Sequence, residues 1–365
     1  MTIKAFIHAA AAAALFAAVA CSNGSGNAIP SGAAAIPQTA YVTNPSKPHA
    51  PATTMYASVV IQSQTATSEL VAFSASANGS VKPTQVIAGS ATGLHDARYL
   101  RLDSSGHLWV SSCPGGSTQA SVSAFPITAK GNVAPLFKIG GAKTGFSNCA
   151  GQMAFDADGN MYVADIKNQI LVFSKGANGN LKYVRRIAGA ATKLSAPSGL
   201  ALDGKGSLYV SNSCVGGTCG GAILVFKTTD SGNVAPVRTI SGSKTTLNQP
   251  MGLAFNPGGY LYVANNSANS ILIFSPTASG NVAPKRTMFD QKAGDSMQFP
   301  TQLAFDAAGY LYVANDDALY VYNQPLLVFA PAMIAPTARG TKITSARSVT
   351  LDIPNVDFPA GAAVN

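Results

Sequence analysis

The stretch that decides the fold is TQLAFDAAGYLYVAN, residues 301–315. Near-copies stand at 251–265 (MGLAFNPGGYLYVAN), 198–212 (SGLALDGKGSLYVSN), 151–165 (GQMAFDADGNMYVAD) and 98–112 (RYLRLDSSGHLWVSS). Each joins two short runs of β-favouring side chains through Asp-x-x-Gly or, once, Asn-Pro-Gly-Gly. An Asp or Asn opening such a turn can accept a backbone N–H two residues on, and glycine at the fourth position tolerates positive φ. Asp103, Asp156, Asp203, Asn256 and Asp306 are therefore turn formers, spaced 53, 47, 53 and 50 residues apart.

A third run follows each hairpin and ends in Phe, as in NQILVF, AILVF and SILIF. A fourth lies in KGNVAPLFKI, SGNVAPVRTI and SGNVAPKRTM. Four short strands in about fifty residues is the period of a propeller blade. Near the N-terminus, MYASVVIQ, SELVAFSA and VKPTQVIAG read as strands two, three and four of a blade without a first strand. Near the C-terminus, SARSVTLDIP carries Asp352 at the repeat position, 46 residues after Asp306. The expectation is an all-β, six-bladed propeller of four-stranded antiparallel blades over residues 56–353. A C-terminal strand pairing with the N-terminal blade would close it, leaving 354–365 as a tail.

The run GQMAFDADGNMYVADIKNQILVF resembles the NHL repeat, with its Asp-x-x-Gly turn, its "YVAD" and its later Asn-x-x-Ile-x-Val-Phe. The resemblance spans roughly residues 56–353. It implies the architecture of the gluconolactonase-type and virginiamycin B lyase propellers, whose activities are hydrolysis or elimination on the ligand face.

Residues 1–20 read as a signal peptide, with Lys4 followed by the apolar AAAAALFAAVA. Small residues directly before Cys21 resemble a bacterial lipobox, so Cys21 is expected to carry a lipid. Ser22 in place of Asp leans toward the outer membrane. Residues 21–55 are rich in Ser, Gly, Ala and Pro and form a tether with an end-to-end distance on the order of 30 Å. Export places the other four cysteines in an oxidising compartment. Cys214 and Cys219 can bridge across one loop, which leaves Cys113 and Cys149 as the second pair.

Charged residues are 11% of the 365-residue chain and the formal net charge is +9. That balance favours anionic partners, such as an acidic glycan or membrane surface, and export argues against nucleic acid. The expected partners are a membrane, through the anchor, and an envelope glycan or protein, for a monomeric chain at the bacterial cell envelope.

Chemistry is expected where the loops from strand two to three and from strand four to the next strand one share a face. His95, with Asp96 beside it, is the candidate acid–base pair. Ser112, Asp165, Asn212, Asn265 and Asn315 recur after strand two, and the last four are the candidate metal ligands. They either ring a hard cation such as calcium or cap turns. The metal glutamate of gluconolactonase-type propellers has no counterpart, since Glu69 begins an N-terminal third strand. Lys143, Lys193, Lys244 and Lys292 recur in loops entering the next blade, with Arg98 and Arg347 on adjacent first strands. They are candidates for binding an anion at the channel mouth. Outer strands also carry cations, which discourage edge pairing. No cofactor is expected if the oxygen ring only caps turns. The functional expectation is a binding or scaffold module, with a propeller hydrolase or lyase as the alternative.

Overall fold

The alternation of each hairpin places side chains on two faces, and both faces find apolar neighbours. In blade five, Leu261 and Val263 pack with Tyr209 and Val225 of blade four, while Tyr262 and Ala264 pack with Leu303 and Phe305 of blade six. This is why the strands read as apolar throughout: each sheet is sandwiched between two others. The structure, a computed structural model, describes residues 54–61, 67–114, 119–213, 221–290, 297–315, 326–336, 342–343, 345 and 347–351.

Six sheets follow one another along the chain. Blade two shows the plan, with Ala97–Leu102 innermost, then His107–Ser112, Ser121–Pro126 and Phe137–Gly140 outermost. Blades three, four and five repeat it, beginning at Ala150–Phe155, Pro197–Leu202 and Pro250–Phe255. The third strands carry Phe73, Phe125, Phe173, Phe226, Phe274 and Phe329 at their last or next-to-last position, all buried. Each such ring contributes about 1.5–3 kcal/mol by leaving water.

The turns form as their residues dictate. The Asp103 carboxylate accepts the N–H groups of Ser105 and His107 at 2.8 and 2.9 Å, and Gly106 sits at φ 80°. Asp156, Asp203, Asn256 and Asp306 repeat the bond to the residue four positions on.

Blade one comprises Thr54–Ile61, Thr67–Ser74 and Gln85–Ile87, in registers matching strands two, three and four elsewhere. The closing strand differs from expectation. Arg347–Leu351 is the outer strand of blade six, antiparallel to Leu326–Phe329 with Leu326 opposite Val349. It is not the first strand of blade one, and Asp352 lies outside the described residues. The strand still joins the two ends of the chain, because Val349 pairs in parallel with Gly79, which lies between Thr67–Ser74 and Gln85–Ile87 of blade one. A short β-branched run reads equally well as a first or a fourth strand. Its register is fixed by Arg347, which stands opposite Val328 as Arg238 stands opposite Val225.

That parallel contact has a counterpart at every blade junction. Ile87, Ile139, Ile187 and Ile240 at the ends of outer strands bridge to Gly131, Gly179, Gly232 and Gly280 of the next blade. Phe289 pairs likewise with Lys342. The residue after each of those glycines completes the strap. The Oδ1 atoms of Asn132, Asn180, Asn233 and Asn281 accept the N–H of Ala91, Lys143, Ala191 and Lys244 at 2.7–2.8 Å. The recurrent Gly-Asn of SGNVAP is thus an inter-blade strap.

Outer-strand cations also do more than guard edges. Arg185, Arg238, Arg286 and Arg347 each donate to carbonyls of the following blade, namely Thr228, Pro276 with Ala278, Met333 with Ala335, and Ala75. Gln85 makes the same reach to Ile127 and Ala129. At the remaining junction Phe137 takes the position and stacks on Trp109, ring centroids 6.0 Å apart.

Candidate functional site

The axis of the wheel is crossed by side chains. Gln152 of blade three donates to the Thr301 carbonyl of blade six at 3.1 Å, and Gln302 to the Leu100 carbonyl of blade two at 3.1 Å. Both glutamines are buried. The first strands beside them approach closely, since a Cβ on Gly199 would lie 2.0 Å from the Met251 carbonyl oxygen. Below Leu100, Arg101 is half-buried where the other blades carry Ala154, Ala201, Ala254 and Ala304. Burial pushes its guanidinium down to about 10.

On the loop face the candidates separate. Asp96 does not orient His95. Its Oδ2 accepts Nε and Nη2 of Arg98 at 3.0 and 2.9 Å. Its φ of 44° matches the left-handed conformation of Ala196, Gln249 and Phe299 at the same point of blades four to six. Asp96 and Arg98 thus form an ion pair at the entry to an inner strand. Arg347 is far from Arg98 in the plan of the fold: it lies on the outer strand, over the ring of Tyr310 at 5.7 Å. Lys143, Lys193 and Lys244 are exposed, on or beside short 3₁₀ turns that directly follow outer strands. They ring the periphery of the face instead of converging on its centre, and Lys292 lies outside the described residues.

The oxygen ring consists of loop caps. Asp165, Asn212, Asn265 and Asn315 accept the backbone N–H of Ser147, Ser195, Asn248 and Gln298 at 2.8, 2.6, 2.7 and 3.3 Å. Asn212 and Asn265 also donate to the carbonyls of Lys193 and Thr246 at 3.0 and 3.1 Å. Each side chain therefore locks the loop entering its own blade and turns its oxygen to a donor, not to a shared centre. Glu69 stands in Thr67–Ser74, and burial raises its carboxyl.

Blade two breaks this rule. Its residue at the capping position is Ser112, whose short hydroxyl turns into the sheet, donating to the Ser121 carbonyl at 3.1 Å and accepting the Ser121 N–H at 2.9 Å. A pocket of about 590 Å³ opens there, lined by His95, Ser112, Gln119, Ser121, Lys138 and Asn178 together with Gly93. The Cys113–Cys149 disulfide, as expected from the sequence, ties the residue after Ser112 to the loop entering blade three. Cys214 and Cys219 lie outside the described residues, as does Cys21. Of the candidate site residues only His95 lines this pocket, joined by Ser112, the exception in the column of Asp and Asn, and by Lys138, one of the outer-strand cations. A second motif recurs in the loops between blades: GSATG, GAKTG, GAATK and GSKTT place Thr92, Thr144, Thr192 and Thr245 to donate to the glycine carbonyl three residues back.

The fold and the face define a six-bladed β-propeller. No family model matches the chain, and no curated protein does so significantly. Among solved structures it is similar to a protein of unknown function from Bacteroides caccae, at 14% identity, covering 86% of this chain and 99% of that one, TM-score 0.54. It is also similar to the WD40 β-propeller domain of Doa1, at 11% identity and 72% of each chain, TM-score 0.48.

Proposed function

We propose that the chain is a binding module of the bacterial cell envelope, exported, lipid-anchored through Cys21 and spaced from the membrane by residues 21–55. The resemblance to NHL repeats supports this use of the wheel, and the +9 net charge supports an anionic glycan or acidic envelope protein as partner. One observation carries the reading. The oxygens of Asp96, Asp165, Asn212 and Asn265 are held by protein donors, while the pocket of blade two is lined by His95 and Lys138, whose imidazole and ammonium groups have no hydrogen-bond partner among the described residues. A lyase-type use of His95 would need an orienting carboxylate, and Asp96 is engaged by Arg98.

The test is a thermal-shift screen of the protein against acidic saccharides, divalent ions and a chelator. A salt-sensitive rise in Tm with acidic saccharides, and indifference to calcium and chelator, is the expected result. A Tm that follows calcium would move the reading to a metal-dependent hydrolase. Cys21→Ser should release the chain from the membrane fraction.

A further inference from the structure

Among the described residues, Thr54–Ile61 pairs along one edge alone, with Thr67–Ser74, whereas the second strand of every other blade is flanked on both edges. The open edge is the one toward the axis. Its register is fixed, because Met55 stands opposite Phe73 as Met161 stands opposite Phe173 and Leu261 opposite Phe274. Tyr56 therefore holds the place of Tyr162, Tyr209, Tyr262 and Tyr312, and Ser58 that of Ser211. Ser58 already makes one bond of that place. Its hydroxyl donates to the Arg98 carbonyl of blade two at 3.1 Å, as that of Ser211 donates to the Met251 carbonyl of blade five at 2.6 Å.

The motif that fills the inner position elsewhere occurs once more in the chain. PSGLALD at 197–203, PMGLAFN at 250–256 and PTQLAFD at 300–306 open blades four, five and six, and PAGAAVN stands at 359–365. The distance also agrees. Pro197 and Pro250 lie 12 residues beyond Arg185 and Arg238, and Pro359 lies 12 residues beyond Arg347, the arginine of the same register in blade six. The glycine has a structural cause. A Cβ on Gly199 would lie 2.0 Å from the Met251 carbonyl oxygen and 2.8 Å from Ser211 Oγ, and the Gly199 N–H donates to that hydroxyl at 2.6 Å. Gly361 supplies the same residue to Ser58.

We propose that the open edge of Thr54–Ile61 takes residues 359–364 of the same chain as the first strand of blade one. The register of blade four carries over. Val364, Ala363 and Ala362 pair with Met55, Tyr56 and Ala57, as Leu202, Ala201 and Leu200 pair with Leu208, Tyr209 and Val210. Alanine opposite the ring is the rule of blades three to six, in Ala154–Tyr162, Ala201–Tyr209, Ala254–Tyr262 and Ala304–Tyr312. The added strand satisfies the backbone groups of an edge whose side chains from Met55 to Ser58 are buried. It gives this junction a second closure beside the one through Arg347–Leu351.

Hydrogen exchange of the full chain, compared with that of a chain ending at Phe358, tests the pairing while keeping Arg347–Leu351. Amides of Thr54–Ile61 should exchange at least about tenfold faster in the shortened chain. Equal exchange in the two overturns the proposal. Two neighbouring substitutions in the full chain decide the register even where the shortened chain does not fold. Gly361→Val should lower Tm by roughly 2–4 °C or more, since a side chain there meets the backbone of blade two. Ala360→Val should leave Tm unchanged, because Ser198, Met251 and Thr301 carry side chains at that position. A Tm that ignores both substitutions, or falls equally with both, overturns the proposal. Light scattering should show a monomer throughout. A dimer that Gly361→Val dissociates would place the strand on a second copy and overturn pairing within one chain.

Discussion

Arg238 lies across the ring of Tyr209, its guanidinium carbon 5.4 Å from the ring centroid, and the same guanidinium donates to Pro276 and Ala278 of the next blade at 3.1 Å. One side chain thus stacks on its own sheet and hydrogen-bonds the neighbouring one. The planar fork of arginine suits this double task, whereas a lysine could neither stack as well nor serve two carbonyls at fixed separation.

The clamp should weigh more where it is buried. Arg286 makes the same reach, to Met333 and Ala335 at 2.7 and 3.1 Å, and is only 7% exposed. Beside it Tyr262 is fully buried, its hydroxyl donating to the Ile334 carbonyl, and burial pushes that phenol up to about 12. Arg286→Ala should cost about 2–3 kcal/mol by leaving buried carbonyls without a donor, and the more exposed Arg238→Ala about 1 kcal/mol. Urea unfolding of the two variants checks the order, and equal losses would contradict the clamp.

The strap predicts a non-additive pair. Gly189 has φ 119°, and a Cβ there would meet Asn233 Oδ1 at 2.5 Å. Gly189→Ala therefore suffers both a strained backbone and a clash, on the order of 2–3 kcal/mol. Asn233→Ala removes only the bond to the Ala191 N–H, about 1 kcal/mol. The double variant should be more stable than the sum implies, because the second change removes the two closest clashing atoms, leaving the strain and a 2.9 Å approach to the Cβ of residue 233. Strict additivity in denaturant melts would rule out contact between the two.

How much of this was legible follows from period. The Asp-x-x-Gly turns and the period-two strands recur in one register, so blade number and strand roles could be read from Asp103 to Asp306. The Cys113–Cys149 pair followed from cysteine parity and loop proximity. The straps and clamps were visible as residues but not as contacts: Asn233 and Arg238 act on neighbouring blades 42 and 38 residues away in the chain. Nothing local distinguishes an edge-guarding arginine from one reaching across a junction. Ser112 shows the opposite case: it stands in a column of Asp and Asn and groups with them by period, yet its short hydroxyl turns into the sheet and leaves blade two without their loop cap.

Acid should loosen blade two through its turn. Burial alone would raise the Asp103 carboxyl, but hydrogen bonds from the Trp109 indole and from the His107 backbone and ring, with the His107 charge, hold it below its ordinary value. A carboxylate depressed in the folded state stabilises the fold above its unfolded value near ~3.9, and that stability disappears as pH falls through the folded value. Asp103→Asn should lower stability at neutral pH by about 1 kcal/mol, and the gap from the parent should close on acidification below ~4. Trp109 fluorescence during urea unfolding reads both. A gap that stays constant with pH would place the turn's contribution in neutral hydrogen bonds alone.

The closing strand carries the last prediction. Arg347–Leu351 supplies the outer edge of blade six through Leu326–Val349 pairing and the link to blade one through Val349–Gly79. Arg347 adds the reach to the Ala75 carbonyl, 272 residues away in sequence. At the other five junctions the chain is covalently continuous, so loss of a strap there leaves the neighbouring blades connected. At this junction non-covalent contacts alone hold blade six to blade one. Deleting residues 345–365 should therefore lower Tm well beyond the effect of any single strap variant and expose the edge of Leu326–Phe329, favouring association between chains. Arg347→Ala should give a smaller loss with the monomer retained. Differential scanning calorimetry with light scattering decides it, and a truncated chain that melts like the parent as a monomer would mean that the ring is held shut elsewhere.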